Sequence, residues 1–289
     1  MIITERIKIY MQLMRLDKPI GILLLLWPML WGLWFAAGGF PDKQILIIFV
    51  LGTILMRSAG CVINDFADRK IDPHVERTKN RPMATGRVST LEAIILSAAL
   101  SFMAFLLILP LNRLTILLSV PALFLAGTYP FTKRFFVMPQ AYLGIAFSFG
   151  IPMAFAAQTN SLPPIIGLLM LANLFWVVAY DTAYAMVDKP DDLRIGIKTS
   201  AITLGRFDVL GVMLCHISFI AIMSIIGLLQ QMSLVYYLGL MIASGLIIYQ
   251  YTLIRHHDRM LYFKAFLHNN WVGMTVFTGI ALDFLIFPH

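Results

Sequence analysis

Charged residues are scarce in this chain. Of its 289 residues, 13% are charged and 60% are hydrophobic, whereas an ordinary soluble domain is about 25% charged and roughly 45–50% apolar. Water could not keep so apolar a surface in solution, which argues against a soluble enzyme. A disordered chain is excluded as well, because disordered segments are poor in apolar residues. The composition therefore indicates a membrane protein.

The sequence also lacks the motifs of several other function classes. Its two cysteines, Cys61 and Cys215, lie far apart in apolar stretches and form neither a metal-ligand cluster nor a disulfide framework. There is no Walker sequence, no glycine-rich nucleotide loop and no convincing arrangement of Ser, His and Asp. The net charge of +7 could suggest nucleic acid, but a membrane protein gathers Lys and Arg in its cytoplasmic loops. We therefore expect no nucleic acid among its partners.

Long hydrophobic runs fill most of the chain. A transmembrane helix needs about 20 predominantly apolar residues, so the expected fold class is all-α, a polytopic bundle of about nine transmembrane helices. We expect a single integral-membrane domain over residues 1–289. The fifth span is interrupted at Gly150 and Pro152, which a membrane helix tolerates where neighbours satisfy the freed backbone. The predicted spans are 19–38, 44–63, 91–109, 114–129, 138–157, 161–180, 209–229, 233–254 and 266–287.

The basic residues predict how these helices are oriented. If the N-terminus is cytoplasmic, every Lys and Arg except Lys43 and Arg113 falls in a cytoplasmic segment, with Arg57 counted among them. This bias follows the positive-inside rule and favours an odd number of spans. We therefore expect a multi-pass protein of a bacterial inner membrane, with a cytoplasmic N-terminus and a periplasmic C-terminus.

The first of two long cytoplasmic connections begins with an acidic motif, Asn-Asp-x-x-Asp-x-x-x-Asp at 64–72. If the second helix continues through it, Asn64, Asp68 and Asp72 share one helix face, with Asp65 beside them. Carboxylates at a helix C-terminus repel one another and oppose the helix dipole, so positive charge must compensate them. Basic residues of the same connection could do so: Arg69, Lys70, Arg77, Lys79 and Arg81.

The second long connection carries another acidic stripe. Asp181, Asp188 and Asp192 are spaced i, i+7 and i+11, with Tyr184 at i+3. Pro190 disfavours helix at the preceding residue and fits poorly inside a helix, so we expect a kink between Asp188 and Asp192. Ionisable residues at membrane depth are usually functional. Two acidic clusters on one membrane face therefore predict a site rather than two solvated loops.

Two such clusters facing each other have the chemistry of a magnesium–diphosphate site. Mg²⁺ prefers oxygen ligands and usually binds through one or two carboxylates together with substrate phosphates. Two or three Mg²⁺ ions could span one diphosphate between the clusters, with basic residues covering the remaining phosphate charge. The predicted metal ligands are Asn64, Asp65, Asp68, Asp72, Asp188 and Asp192.

These motifs resemble those of the UbiA-type membrane prenyltransferases. The segments 64–72 and 77–82 (Arg-Thr-Lys-Asn-Arg-Pro) resemble the first signature of the family, and Asp-Thr-x-Tyr-Ala-Met-x-Asp at 181–188 resembles the second. Pro190 departs from the family pattern, in which a polar or acidic residue is expected. Finer matches resemble the members that act on 4-hydroxybenzoate: Arg-Leu-Asp-Lys-Pro-Ile-Gly at 15–21, Leu-Leu-Leu-Leu-Trp-Pro at 23–28, Tyr-Pro-Phe-Thr-Lys-Arg at 129–134 and Gly-Ile-Lys-Thr-Ser-Ala at 196–201.

The resemblance implies Mg²⁺-dependent transfer of a polyprenyl group from a polyprenyl diphosphate to 4-hydroxybenzoate, ortho to the hydroxyl, in ubiquinone synthesis. It implies catalytic roles for Asp188, Asp181 and Asp68, with Asp188 the first candidate and Asp181 the second for a base near the acceptor hydroxyl. The acceptor carboxylate needs a planar cation, with Arg134 the first choice and Arg15 the alternative. The other implied substrate-binding residues are Lys79, Arg81, Lys198 and Tyr184.

Two alternative functions stay open at this stage. A polytopic transporter would also have many spans, but transporters place their polar residues near the bilayer midplane in broken helices, whereas here the carboxylates gather at one face. A related prenyltransferase could act on another aromatic acceptor, because the first acidic motif does not distinguish acceptors. The expected partners are the lipid bilayer and the two substrates, polyprenyl diphosphate and 4-hydroxybenzoate. The sequence gives no information on protein partners.

Reporter fusions test the predicted topology. Fusions after Gly39, Asn112, Asn160 and Gln231 should report a periplasmic location, and fusions within 69–87 and 189–206 a cytoplasmic one, because the basic residues gather on one side. Paired alkaline phosphatase and fluorescent-protein reporters would measure this. A cytoplasmic signal after Asn160 would contradict the span count and separate the two acidic clusters.

Overall fold

The computed structural model describes residues 2–287, which are folded into α-helices without a strand. This confirms the all-α fold class. Short 3₁₀ turns at Asp72–His74 and Gly205–Phe207 lie in two of the connections. The helices are α1 (Ile2–Leu13), α2 (Ile20–Ala37), α3 (Lys43–Asp68), α4 (Thr90–Ile108), α5 (Arg113–Thr132), α6 (Pro139–Ser148), α7 (Gly150–Thr159), α8 (Ile165–Ile195), α9 (Ser200–Leu204), α10 (Asp208–Leu229), α11 (Leu234–Ile254) and α12 (Arg259–Ile286).

Eight segments of the described chain are long and apolar enough to cross a membrane. They are α2, α3, α4, α5, α8 and α11 together with two composite spans, α6 with α7 and α9 with α10. The break between α6 and α7 falls at Phe149, next to Gly150, which confirms the predicted interruption of the fifth span. Each of the first eight predicted spans thus has its helix.

The ninth predicted span corresponds to α12, which is long enough but less apolar. Two of its polar residues, Asn269 and Asn270, are hydrogen-bonded to neighbouring helices. Asn269 is fully buried, accepts a hydrogen bond from Trp176 Nε1 at 3.1 Å and donates to Gln250 Oε1 at 3.1 Å. Trp27 Nε1 donates to Asn270 Oδ1 at 2.9 Å. Buried polar groups in a membrane bundle need such internal partners, and α12 packs against α2, α8 and α11.

Aromatic side chains fill the centre of the bundle. Trp31 on α2, Trp176 on α8 and Phe219 on α10 are fully buried. Their ring centroids lie 5.3–5.9 Å from one another. Contacts of this kind contribute stabilisation beyond the buried area itself, and they fix α8 against α2, which matters because α8 carries the second acidic cluster.

Two expectations for the acidic segments need correction. Asp72 does not continue the face of α3 but lies in the following 3₁₀ turn, because Pro73 disfavours α-helix at the residue before it. Conversely, α8 runs unbroken through Pro190 to Ile195. Pro190 has no N–H, so the Met186 carbonyl one turn earlier lacks its helical donor. The next carbonyl, Val187 O, accepts a hydrogen bond from Arg259 Nε at 2.7 Å.

Helices α11 and α12 approach each other closely at two glycines. A Cβ atom on Gly239 would lie 2.9 Å from Gly279 Cα and 3.2 Å from Thr275 O, both backbone atoms of α12. A backbone cannot swing away as a side chain can, so only glycine fits this crossing. Small residues at helix interfaces are a common device of membrane bundles.

Substituting Gly239 should therefore loosen the bundle. We expect Gly239→Leu to destabilise the protein by about 1–3 kcal/mol, the usual cost of overpacking, and to lower its thermal transition in detergent. Gly245→Leu on the same helix is the matched control, because a Cβ there meets nothing within 4 Å. Equal thermal transitions for the two variants would contradict the tight crossing.

Candidate active site

The first acidic cluster lies at the C-terminal end of α3 and in the turn after it. Asn64 and Asp68 are one helical turn apart, and Asn64 Nδ2 donates to Asp68 Oδ2 at 3.3 Å. Asp65, Asp68 and Asp72 are all at least 96% buried. Buried carboxylates require compensating charge, and the structure supplies it from three separate segments of the chain.

Arginines from two segments neutralise this cluster, together with one lysine. Arg15 Nη2 lies 2.8 Å from both oxygens of Asp65. Arg81 Nη1 bridges Asp65 Oδ1 at 3.1 Å and Asp72 Oδ2 at 3.1 Å. Lys133, from the end of α5, donates to Asp68. Of the basic residues predicted to compensate the first cluster, only Arg81 contacts it.

The cluster shifts the ionisation of its own members. Burial raises the pKa of Asp72, and the neighbouring Asp68 and Asp65 raise it further against the opposing effect of Arg81. Burial alone would lower the pKa of Arg81, but Asp65 and Asp72 outweigh it and raise that pKa. Arg81 is thus held firmly in its charged form. The first cluster thus holds three carboxylates and their cations close together.

The second cluster lies on α8 and is contacted by Arg77, from the connection that follows the first cluster. Asp188 is 7% exposed, and Arg77 Nε donates to both of its oxygens at 3.1 Å. The same guanidinium lies 4.3 Å from the ring centroid of Tyr184, one turn earlier on α8. Asp192, one turn further on, is also 7% exposed. The predicted stripe Asp181–Tyr184–Asp188–Asp192 is therefore one continuous helix carrying all four side chains.

A cavity of about 750 Å³ opens beside the two clusters. Its polar part includes side chains from α1, α3, α5, α8 and the connection after α3, and its apolar part continues between α3, α4 and α5. The polar lining residues include Gln12, Arg15, Asn64, Asp65, Arg77, Arg81, Tyr129, Tyr180, Asp181 and Tyr184. The apolar lining includes Phe49, Met56, Ala104, Phe105, Ala122, Leu123 and Phe149.

Arg57 also lines this cavity and was overlooked as a site residue. It lies within α3, eleven residues before Asp68, which places it roughly 16 Å along the helix axis from the acidic end. Its Nε is buried without a hydrogen-bond partner, and Arg57 forms none of the ion pairs found in residues 2–287. A lone arginine inside a predicted span was the available signal, since ionisable residues in a membrane mark functional sites.

Several predicted site residues are not part of the cavity lining in the described chain. Arg134 Nη2 instead donates to Ala67 O at 2.8 Å, at the end of α3. Lys79 pairs with Glu76 at 2.7 Å on the surface, and Lys198 Nζ donates to Phe135 O at 3.2 Å. The side chains of Asp68, Asp72, Asp188 and Asp192 lie behind the lining, where the first three contact the cations described above.

The donor atoms at this end suit a divalent cation. They are carboxylate oxygens with one amide, the hard ligands that Mg²⁺ prefers. Asp68 Oδ1 is buried and has no hydrogen-bond partner, so one ligand position is already open. Within residues 2–287 no three His, Cys, Asp or Glu side chains are close enough to form a ready metal cluster, because cations separate the carboxylates. The residues fit the metal chemically, with arginine and lysine as their present counterions.

Comparison with known proteins identifies the family of this chain. Residues 25–273 match the UbiA prenyltransferase family. A 4-hydroxybenzoate octaprenyltransferase of Nitrosospira multiformis is 70% identical over 286 residues, which cover 99% of both chains.

Two solved structures share the fold. The apo structure of a UbiA homolog from Aeropyrum pernix K1 superposes with a TM-score of 0.80 at 25% identity, covering 91% of this chain and 97% of that one. A UbiA homolog from Archaeoglobus fulgidus bound to GPP and Mg²⁺ gives a TM-score of 0.72 at 16% identity, covering 95% and 99%. From the family match, the near-complete relative and the membrane-crossing helices, the chain belongs to the UbiA prenyltransferase family and is a multi-pass membrane prenyltransferase.

Proposed function

We propose that this protein transfers a polyprenyl group from a polyprenyl diphosphate to 4-hydroxybenzoate in ubiquinone synthesis, with Mg²⁺ as cofactor. The observation that carries the proposal is the cavity, which joins a cluster of acids and arginines to Arg57, deeper in the bundle, whose Nε has no hydrogen-bond partner. The near-complete relative that acts on 4-hydroxybenzoate supports the choice of acceptor. The magnesium-bound homolog supports the choice of metal.

The end of the cavity with both acidic clusters is the proposed diphosphate site. Asn64, Asp65, Asp68 and Asp72 from the first cluster and Asp188 and Asp192 from the second would hold Mg²⁺. When bound, Mg²⁺ stabilises the negative charge that develops on the departing diphosphate. Arg15, Arg77 and Arg81 line the same region and are the proposed phosphate contacts. Lys79, Lys198 and Arg134, which face away from the cavity, are not assigned to substrate.

The deeper part of the cavity is the proposed acceptor site. A benzoate carboxylate needs a cation, and a guanidinium meets it with two parallel hydrogen bonds. Arg57 has an unpaired Nε in this region, whereas Arg15 is already engaged by Asp65. The ring would then lie among Tyr129, Tyr180 and Tyr184, which share the lining with Arg57. Arg57 therefore takes the role that the sequence had assigned to Arg134 or Arg15.

The chemistry requires two bonds to break, one C–O and one ring C–H, and one C–C bond to form. The bond between the allylic carbon and the diphosphate oxygen breaks, the ring carbon ortho to the hydroxyl bonds to that carbon, and a ring proton leaves. A phenolate is the stronger nucleophile, so a carboxylate near the hydroxyl assists. Asp181 lines the cavity and Asp188, behind it, is held by Arg77. We therefore assign the base to Asp181 and keep Asp188 with the metal ligands.

The apolar lining between α3, α4 and α5 suits a hydrocarbon tail. Phe49, Ala104, Leu123 and Phe149 line this part of the cavity. Such surroundings exclude water from a reactive allylic cation. The polar end lies with the basic connections, which we propose to be on the cytoplasmic side of a bacterial inner membrane. The transporter alternative loses its support because the family is one of prenyltransferases.

An assay of the purified protein tests this function and its metal. With labelled 4-hydroxybenzoate, a polyprenyl diphosphate and Mg²⁺, we expect a prenylated product that disappears when EDTA is added and returns with excess Mg²⁺. Homogentisate and a hydroxynaphthoate offered in parallel test the acceptor. If either of them is prenylated and 4-hydroxybenzoate is not, the proposed acceptor is wrong.

Both acidic clusters should be needed for this activity. We expect Asp68→Ala and Asp188→Ala each to abolish turnover while folded protein remains in the membrane, because each removes an oxygen ligand from one side of the proposed metal site. Glu76→Ala is the matched control, an exposed acid of the same connection that pairs only with Lys79. Near-normal turnover by either aspartate variant at saturating Mg²⁺ would overturn the two-cluster site.

Arg57 should control binding of the acceptor alone. We expect Arg57→Lys to raise the KM for 4-hydroxybenzoate by about ten- to hundredfold, the equivalent of the loss of a charged hydrogen bond, with little change in the KM for the diphosphate. Steady-state kinetics in which each substrate is varied in turn would measure both constants. Arg134→Lys tests the competing assignment. A selective rise in the acceptor KM of this variant would make Arg134 the carboxylate-binding residue, as the sequence predicted.

A further inference from the structure

Gly21, in the first turn of α2, lies directly against the guanidinium of Arg57. A Cβ atom built on Gly21 would be 2.5 Å from Arg57 Nε and 2.8 Å from Arg57 Cζ. Separations below 3 Å do not occur between real non-bonded atoms of this kind, so any side chain at position 21 must displace the guanidinium. Gly21, Arg57 and the neighbouring Phe147 all line the cavity.

The Arg57 side chain is confined from two sides. The backbone of α2 at Gly21 lies on one side, and on the other the ring centroid of Phe147, on α6, lies 5.8 Å from Arg57 Cζ. An arginine stem has several rotatable bonds, and holding it in one place costs conformational entropy. A guanidinium already confined between α2 and α6 loses less freedom when it meets a ligand.

The contact at Gly21 differs in kind from the one at Gly239. At Gly239 the nearest atoms belong to the backbone of α12, so a substitution there disturbs packing. At Gly21 the nearest atoms are the end of a flexible side chain, which can move away. Gly21 lies inside a regular helix, a conformation that alanine favours over glycine. An alanine at position 21 should therefore move Arg57 without weakening the fold.

We propose that Gly21 is a positioning residue for recognition of the acceptor carboxylate. Its missing side chain lets the Nε and Nη2 atoms of the Arg57 guanidinium lie against α2, at the lining of the cavity. This inference rests on the proposed function, in which Arg57 binds that carboxylate. It adds that the residue at position 21 sets where the carboxylate binds and hence how far the ring lies from the acidic clusters.

The test is Gly21→Ala in the full-length protein, reconstituted in lipid nanodiscs. We expect the KM for 4-hydroxybenzoate to rise about tenfold, as for a charged hydrogen bond that is lost or misaligned. The KM for the polyprenyl diphosphate should stay within about twofold, and the thermal transition should be unchanged or slightly higher, because alanine stabilises a helix relative to glycine. Gly167→Ala in the first turn of α8 is the matched control, since a Cβ there meets nothing within 4 Å.

A double-mutant cycle separates the possible outcomes. In an Arg57→Met background, Gly21→Ala should cause no further rise in the acceptor KM, because no guanidinium remains to be displaced. If the two substitutions raise the acceptor KM additively, or if Gly21→Ala alone leaves it unchanged, the positioning role of Gly21 is overturned. The proposed role of Arg57 in binding the acceptor is unaffected by either result. If Arg57→Met leaves the acceptor KM unchanged, the proposed acceptor site itself fails. Gly21→Ala could also lower the thermal transition. If the same substitution leaves the thermal transition unchanged in the Arg57→Met background, the loss of stability comes from a clash with Arg57.

Discussion

The site depends on the neutralisation of carboxylates that are buried where helices α3 and α8 end. Asp65, Asp68, Asp72 and Asp188 each contact a cation, and those cations come from three different parts of the chain. An unpaired charge at such depth costs several kcal/mol, and Arg15, Arg77, Arg81 and Lys133 supply the opposite charges that these carboxylates need. The same pairs bring the N-terminal segment, the connection after α3 and the end of α5 onto one cavity, which no single helix contact would do.

The arginines of the cavity differ in what they contact. Those that neutralise acids stand at the polar end of the cavity, whereas Arg57 stands deeper and has no acid of its own. A charge kept without a partner in a membrane bundle is costly, and a substrate carboxylate would supply the missing counter-charge. The cavity thus offers an acidic and basic end for a metal diphosphate and a deeper guanidinium, that of Arg57, for a small anion, with an apolar wall between α3, α4 and α5 for a tail.

Much of the fold could be predicted from the sequence because hydropathy and charge act over whole segments. The helices, the break beside Gly150 and the acidic stripe on α8 followed from local patterns, whereas Asp72 leaves the face of α3 that the spacing predicted. The ion pairs did not follow from such patterns, because they depend on the path of the connections: Lys133 contacts Asp68 while the adjacent Arg134 contacts a backbone carbonyl, and Arg77 reaches α8 rather than α3. Arg57 was counted as cytoplasmic because a charge count ignores depth. The helix continues through Pro190, where Arg259, remote in sequence, donates to Val187 O and to Asp191 Oδ2.

The central claim is that the clusters on α3 and α8 form one metal–diphosphate site. Electron paramagnetic resonance of the purified protein, titrated with Mn²⁺ in the presence of an unreactive prenyl thiolodiphosphate, tests it most directly. The account predicts at least two bound Mn²⁺ ions whose signals are broadened by mutual coupling, with coupling lost in both Asp68→Ala and Asp188→Ala. A single uncoupled Mn²⁺, or coupling that survives the loss of either aspartate, would contradict it.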